Sequence, residues 1–248
     1  MNVSHSLVIF IAGFCASIFG TLVGGSSLVT IPTLLLLGVS PHTAIGTDRF
    51  GIMGVCAAGW YQFHKKGLIN YRLGVTLVIP VLVGAFIGAN LVFEISESVL
   101  KLIIIIISII CLGFLLLNPN FGVGKTQRKI GWSRYIIGAA MTFVVGIYVG
   151  FYGAMGGTLL MYILILWFGQ TFLESAGTLK ISALAMNGIA AVVFAFNGAV
   201  DYSLAIPMFC GCSIGSLVGG HYAERIGNVW IRRLFLVLLT VLILKLVI

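Results

Sequence analysis

The chain has 248 residues, 60% of them apolar and only 8% charged, with a mean hydropathy of +1.17. A water-soluble domain needs about a quarter of its residues charged, so this composition excludes one and indicates a polytopic membrane protein. The net charge of +8 does not point to nucleic acid as a partner, because the basic residues fill the short gaps between apolar runs, where the positive-inside rule puts them beside a lipid bilayer.

Eight apolar blocks follow one another, four in each half. Those of the first half are Leu7 to Leu37, Thr43 to Phe63, Arg72 to Phe93 and Val99 to Leu117. Those of the second are Tyr135 to Phe168, Ser175 to Phe196, Ser203 to Tyr222 and Val229 to Val247. The first block is not read as a cleavable signal, since Met1 to Ser6 contains no Lys or Arg and the apolar stretch outruns a signal core. Six blocks have the length of one helical crossing, near 20 residues. The leading block of each half, at about 31 to 34 residues, is too long for one helix across a 30 Å core and too short for two. Each is therefore predicted to be a hairpin of two short or broken helices, interrupted between Gly20 and Ser27 and between Gly150 and Thr158. Irregular backbone at membrane depth is tolerated only where protein buries it or it lines a cavity.

A shift of about 131 residues superimposes the chain on itself without a gap. Gly25, Gly38, Gly46, Gly67, Gly84 and Gly88 then meet Gly156, Gly169, Gly177, Gly198, Gly215 and Gly219, while Thr47 meets Thr178 and Arg49 meets Lys180. Basic clusters lie at Lys65, Lys66 and Arg72, at Lys125, Arg128, Lys129 and Arg134, and at Arg225, Arg232 and Arg233. They share the cytoplasmic side if each long block returns to its own face or spans twice, and the second half is then upside down relative to the first. The expected fold is an all-α polytopic membrane protein of two inverted-topology repeats, each a broken or re-entrant helical hairpin plus three transmembrane helices. The repeats occupy residues 1–117 and 134–248, joined by a cytoplasmic linker over 118–133. Gly84-x-x-x-Gly88 and Gly215-x-x-x-Gly219 have the form of helix-packing devices.

After each hairpin comes a helix start, with Ser40 before Pro41 and Thr171 with Glu174 in capping-box form. Arg49 and Lys180 lie about eight or nine residues further on, roughly 12 to 14 Å deep, close to the middle of a 30 Å core. A buried cation without a counter-charge marks a pathway or a partner. Asp48 adjoins Arg49, but neighbouring residues on a helix do not face each other, so no pair is expected. Lys180 has no carboxylate nearby except Glu174 at the entrance of its own helix. Two under-neutralised cations imply an anionic ligand, with Thr47, Thr178, Ser26, Ser27, Thr158 and Asn187 as hydrogen-bond donors. Gly24, Gly25, Gly156 and Gly157 would permit close backbone approach at positive helix ends. The competing reading is that Arg49 and Lys180 snorkel to the interface as anchors, and that Thr47 and Thr178 bond back to their own helices. Asp48 and Glu174 are the candidates for carrying a coupling proton or cation.

Other chemistry finds little support. Cys15, Cys56, Cys111, Cys210 and Cys212 all fall in apolar stretches and read as packing residues, and no metal motif is present. Gly124-Lys125-Thr126 mimics the end of a phosphate-binding loop, but Pro119 replaces its leading glycine and no strand precedes it. Neither a cofactor nor an enzyme signature is found.

The run Gly24-Gly-Ser-Ser-Leu-Val-Thr-Ile-Pro-Thr-Leu-Leu-Leu-Leu-Gly38, followed by Ala44-Ile-Gly-Thr47, resembles the first-repeat signature of the TauE/SafE family of sulfite and organosulfur anion exporters. Gly156-Gly-Thr158 through Ala176-Gly-Thr-Leu-Lys180 resembles its second copy, except that Tyr162 and Ile163 replace Ile31 and Pro32. The resemblance covers essentially the whole chain. It implies a secondary transporter of the cytoplasmic membrane, most simply an exporter, for small sulfur-containing anions such as sulfite, thiosulfate or sulfonates. Sulfite near neutral pH is partly a dianion, which two cations would suit. The rival readings are an anion channel using the same residues and a non-transporting, partner-binding membrane subunit.

Overall fold

The computed structural model describes residues 3–106 and 131–222, and every regular element among them is helical. In the first half α1 spans Val3–Val23, α2 Ser27–Leu36, α3 Pro41–Lys65, α4 Tyr71–Thr76 and α5 Val78–Leu91. A 3-10 turn at Val92–Glu94 leads into α6, described over residues 97–106. In the second half α7 spans Trp132–Phe151, α8 Gly156–Tyr162 with a π-helical extension Ile163–Trp167, α9 Phe172–Phe196 and α10 Tyr202–Tyr222. Helices α1, α7, α9 and α10 are long and apolar enough to cross a bilayer. The predicted block Val229 to Val247, most of Val99 to Leu117 and of the linker 118–133, Cys111, and the clusters around Lys125 and Arg225 lie outside the described residues.

The element boundaries repeat with the sequence. Helices α3 and α9 are both 25 residues long, beginning at Pro41 and Phe172, and the pair α4 and α5 opens at Tyr71 where α10 opens at Tyr202. Local capping explains the starts. Pro41 supplies the fixed φ of a first helical residue behind Ser40, while Thr171 and Glu174 form a complete capping box.

Two expectations need correction. The leading blocks are not pairs of short helices, because their first limbs, α1 and α7, run 21 and 20 residues and only α2 and α8 are short. The chain leaves α1 at Gly24 and Gly25, with φ of 79° and 87°, and leaves α7 through Gly153 at 77° and Met155 at 59°. These left-handed residues come three to five residues after the first glycine of each motif, Gly20 and Gly150, both of which stay helical. The predicted single helix from Arg72 to Phe93 is broken at Leu77. Pro80 has no N–H to offer the Thr76 carbonyl and its ring crowds that group, and the Thr76 hydroxyl bonds back to the Arg72 carbonyl at 2.7 Å.

Helices of one half pack mainly on helices of the other. Helix α1 lies along α10 and α7 along α5, while α3 packs on α9 and α10, and α9 also on α5. Gly211, Gly215 and Gly219 of α10 press on the carbonyls of Phe10, Phe14 and Ile18, and Gly84 and Gly88 of α5 press on those of Phe143 and Ile147. Small residues let backbones approach to the point of Cα–H···O contact. The halves also exchange a reciprocal pair of hydrogen bonds. The Asp201 N–H donates to Thr47 Oγ1 and the Asn70 N–H to Thr178 Oγ1, both at 3.0 Å.

Because a side chain at 215 must part α1 from α10, Gly215→Val should cost about 1–3 kcal/mol and lower the melting temperature of the detergent-solubilised protein. Gly188→Ala on α9 meets nothing within 4 Å and should be neutral or gain up to about 1 kcal/mol from helix propensity. Equal melting temperatures for Gly215→Val and the parent would refute this account of the seam.

Candidate functional site

The two chain breaks meet. A Cβ on Gly24 would fall 2.7 Å from the Thr158 nitrogen and 3.1 Å from the Gly157 Cα, so backbone passes against backbone at this crossing. The Thr158 hydroxyl ties it by donating to the Val23 carbonyl at 2.7 Å, at the end of α1. Beside the crossing is a cavity of about 40 Å³, room for roughly three water-sized groups. Its polar wall includes Gly24, Gly25, Ser26, Ser27, Arg49, Gly157, Lys180 and Asn187. Its apolar wall is built from Ile52, Val55, Val149, Leu179, Ala183 and Met186.

Helix α3 brings Arg49 to this cavity, 1% exposed, with Asp48 fully buried next to it. Contrary to the sequence expectation, the two form an ion pair, Nη2 to Oδ2 at 2.5 Å. Adjacent helical residues diverge at Cβ, but the arginine stem is long enough for the guanidinium to fold back to the carboxylate. The carboxylate is fixed in turn by α2, accepting from Ser27 Oγ at 2.8 Å and from Thr30 Oγ1. Arg49 then reaches the other half, donating from Nη1 to Asn187 Oδ1 at 2.9 Å and from Nη2 to the Tyr152 carbonyl at 3.1 Å. Gly153 makes room for this, because a Cβ there would lie 2.6 Å from Arg49 Cζ. Arg49 Nε has no partner among the described residues.

Helix α9 brings Lys180 to the same cavity, 2% exposed. Its stem runs across Gly59, where a Cβ would stand 2.8 Å from Lys180 Cε. Among the described residues no carboxylate pairs with it and no hydrogen-bond acceptor reaches it. A buried ammonium in this condition is costly unless a ligand answers it. The N–H groups of Gly25 and Ser26, at the start of α2, donate to no backbone carbonyl among the described residues, which leaves further donors at the cavity.

The remaining predicted residues lie elsewhere. Thr47 and Thr178 do not line the cavity, since their hydroxyls accept the exchanged N–H groups of Asp201 and Asn70. Thr178 also accepts from Gln170 Nε2 at 3.2 Å. Gly156 packs against Val149, and Thr158 holds the crossing without facing the cavity. Glu174 accepts the Thr171 N–H at 3.0 Å within its capping box, and Asp48 is held by Arg49, Ser27 and Thr30. The sequence reading passed over Gly20, Gly153 and Cys56 as parts of this wall. The repeat itself could have found Cys56, which stands at the position equivalent to Asn187.

Residues 9–246 match the family model described as Sulfite exporter TauE/SafE. Similar curated proteins include a "Probable membrane transporter protein" of Haemophilus influenzae, 25% identical over 93% of this chain and 90% of its own. "Probable membrane transporter protein ORF9" of Sinorhizobium sp is 26% identical over 96% and 90%. "Probable membrane transporter protein YdhB" of Bacillus subtilis is 24% identical over 91% and 92%. No solved structure matches the chain significantly. With nearly its whole length inside the family model, and with four helices among the described residues fit to cross a bilayer, this chain is a multi-pass integral membrane protein that belongs to the TauE/SafE family of membrane transporters.

Proposed function

We propose that the protein is a secondary transporter that exports small sulfur-containing anions, such as sulfite, thiosulfate or sulfonates, across the cytoplasmic membrane by alternating access. The observation that carries this reading is Lys180, an ammonium buried at the wall of a cavity with no carboxylate among the described residues to neutralise it. In this reading the anion takes the place of the missing counter-ion. Lys180 supplies its charge, Ser26, Ser27 and Asn187 supply polar contacts, and Gly24, Gly25 and Gly157 admit it to the backbone.

The repeats, 1–117 and 134–248, would be related by inversion, with the anion held near the bilayer midplane between them. Support comes from the pairwise exchange of packing, α1 with α10 against α7 with α5, and from the reciprocal Thr47 and Thr178 hydrogen bonds. Arg49 has a different part, as a strap between halves that is already balanced by Asp48. Rocking of one bundle against the other would make and break its contacts with Asn187 and the Tyr152 carbonyl. Asp48 remains the candidate for a coupling proton, because its carboxylate is the one shared by that strap and α2.

Purified protein in proteoliposomes should show saturable sulfite efflux and counterflow, as expected for a carrier and not for a channel. Lys180→Gln should lower that flux at least about tenfold, since removing one member of a buried charge pair costs about 2–5 kcal/mol. Unchanged flux in Lys180→Gln would remove the basis of the reading. Arg49→Gln strands the buried Asp48 carboxylate and should destabilise the fold by about 3–5 kcal/mol. The double variant Asp48→Asn/Arg49→Gln should recover at least about 1 kcal/mol of that loss. Additive effects in the thermal melts would show that the pair is not the strap described.

A further inference from the structure

The two halves place chemically different residues at equivalent points of one cavity. Arg49 of α3 corresponds to Lys180 of α9, Asn187 to Cys56, and Asp48 to Leu179. In the first copy the cation is followed to its counter-ion on the same helix, Asp48, at 2.5 Å. In the second copy the residue before the cation is leucine, and Leu179 turns its apolar side chain to the cavity wall. Cys56 stands in the wall where exchange of the halves would put the partner of Lys180. A neutral thiol there is no substitute for a carboxylate. Duplication thus furnished two cations, and among the described residues only one of them is neutralised from within.

The charge available to a ligand is therefore one unit, not the two that counting basic residues suggests. We infer that the cavity selects univalent anions, with a compact oxygen-bearing head such as a sulfonate or hydrogensulfite, over divalent anions of the same shape, so that among the proposed substrates sulfonates and hydrogensulfite are preferred to thiosulfate and the sulfite dianion. This rests on the reading of the cavity as an anion site and specifies its ligand class. A univalent guest brings the enclosed assembly of Arg49, Asp48, Lys180 and ligand to zero. A divalent guest leaves a whole negative charge among side chains that are themselves buried, and desolvation penalises that arrangement. The dimensions agree. About 40 Å³ admits a small head and little more, and the side formed by Ile52, Val55, Val149 and Met186 favours an apolar substituent over another charged oxygen.

Methanesulfonate and sulfate separate charge from shape, since both are tetrahedral about sulfur and differ by a methyl group in place of one oxygen and by one unit of charge. Binding of each to the full chain in lipid nanodiscs should favour methanesulfonate by about tenfold or more, a gap of about 1.4 kcal/mol. Leu179→Asp gives Lys180 the intrahelical counter-ion that Arg49 has, and should weaken methanesulfonate binding by about tenfold or more. Asp48→Asn, made separately, raises the wall to two unbalanced units and should shift the preference toward sulfate by a similar factor. Sulfate bound as tightly as methanesulfonate, with Lys180→Gln abolishing both, overturns the charge selection and leaves the anion site standing. Failure of methanesulfonate, sulfate and sulfite alike to bind overturns the selection and the anion site together. Should Leu179→Asp not fold, the shift in Asp48→Asn decides, and an unchanged ratio there counts against the inference.

Discussion

A guanidinium and a carboxylate, both shut off from water, hold the middle of this protein together. Isolated, either ion would be intolerable in an apolar interior. Joined as Arg49 and Asp48, and clasped by Ser27 and Thr30, they form a neutral unit with hydrogen-bonding capacity left over. That surplus reaches Asn187 and the Tyr152 carbonyl, so the same group that satisfies α2 and α3 also attaches them to the second half. The Gly153 turn and the crossing of Gly24 with Gly157 follow from this arrangement, because backbone must come within contact distance of a buried guanidinium and of another backbone.

Lys180 derives its meaning from contrast with that unit. It occupies the repeat-equivalent position, is equally buried and opens on the same cavity, yet lacks what makes Arg49 quiet. Internal duplication provides two copies of a device. In the proposed reading one copy has become scaffold while the other meets the ligand. The division is visible at residue level, as aspartate against leucine and asparagine against cysteine. The threonines show the opposite outcome, since Thr47 and Thr178 have kept one shared structural task in both copies.

Around the site the architecture is a set of close helix seams. Glycines spaced four apart on α10 and two more on α5 bring backbones together, and such seams can slide or separate without dismantling a bulky apolar core. This is the kind of packing that suits bundles which must move past one another. The family to which the chain belongs is one of membrane transporters, and the proposed alternating access would use such motion.

Composition and hydropathy alone were enough to identify a helical membrane protein, because of the two ways to satisfy the backbone in a bilayer, helix and closed barrel, only the helix suits continuous apolar runs of about 20 residues. The offset of about 131 residues foretold matching helices, to the starting residue for α3 with α9 and for α4 with α10, and glycine clusters located both breaks, since left-handed backbone is a local property. Burial of Arg49 and Lys180 was also legible from their distance to a helix cap. Which cation would be answered by a carboxylate was not. That depended on where α2 folds back, on whether Ser27 and Thr30 could orient Asp48, and on how far an arginine stem can turn, none of which helical periodicity encodes. The same holds for Thr47 and Thr178, whose partners are more than a hundred residues away in sequence. Sequence determined the elements and their repetition through local backbone chemistry. Only tertiary structure decided which charge remained uncompensated, because neutralisation depends on contacts between segments that meet only in the folded chain.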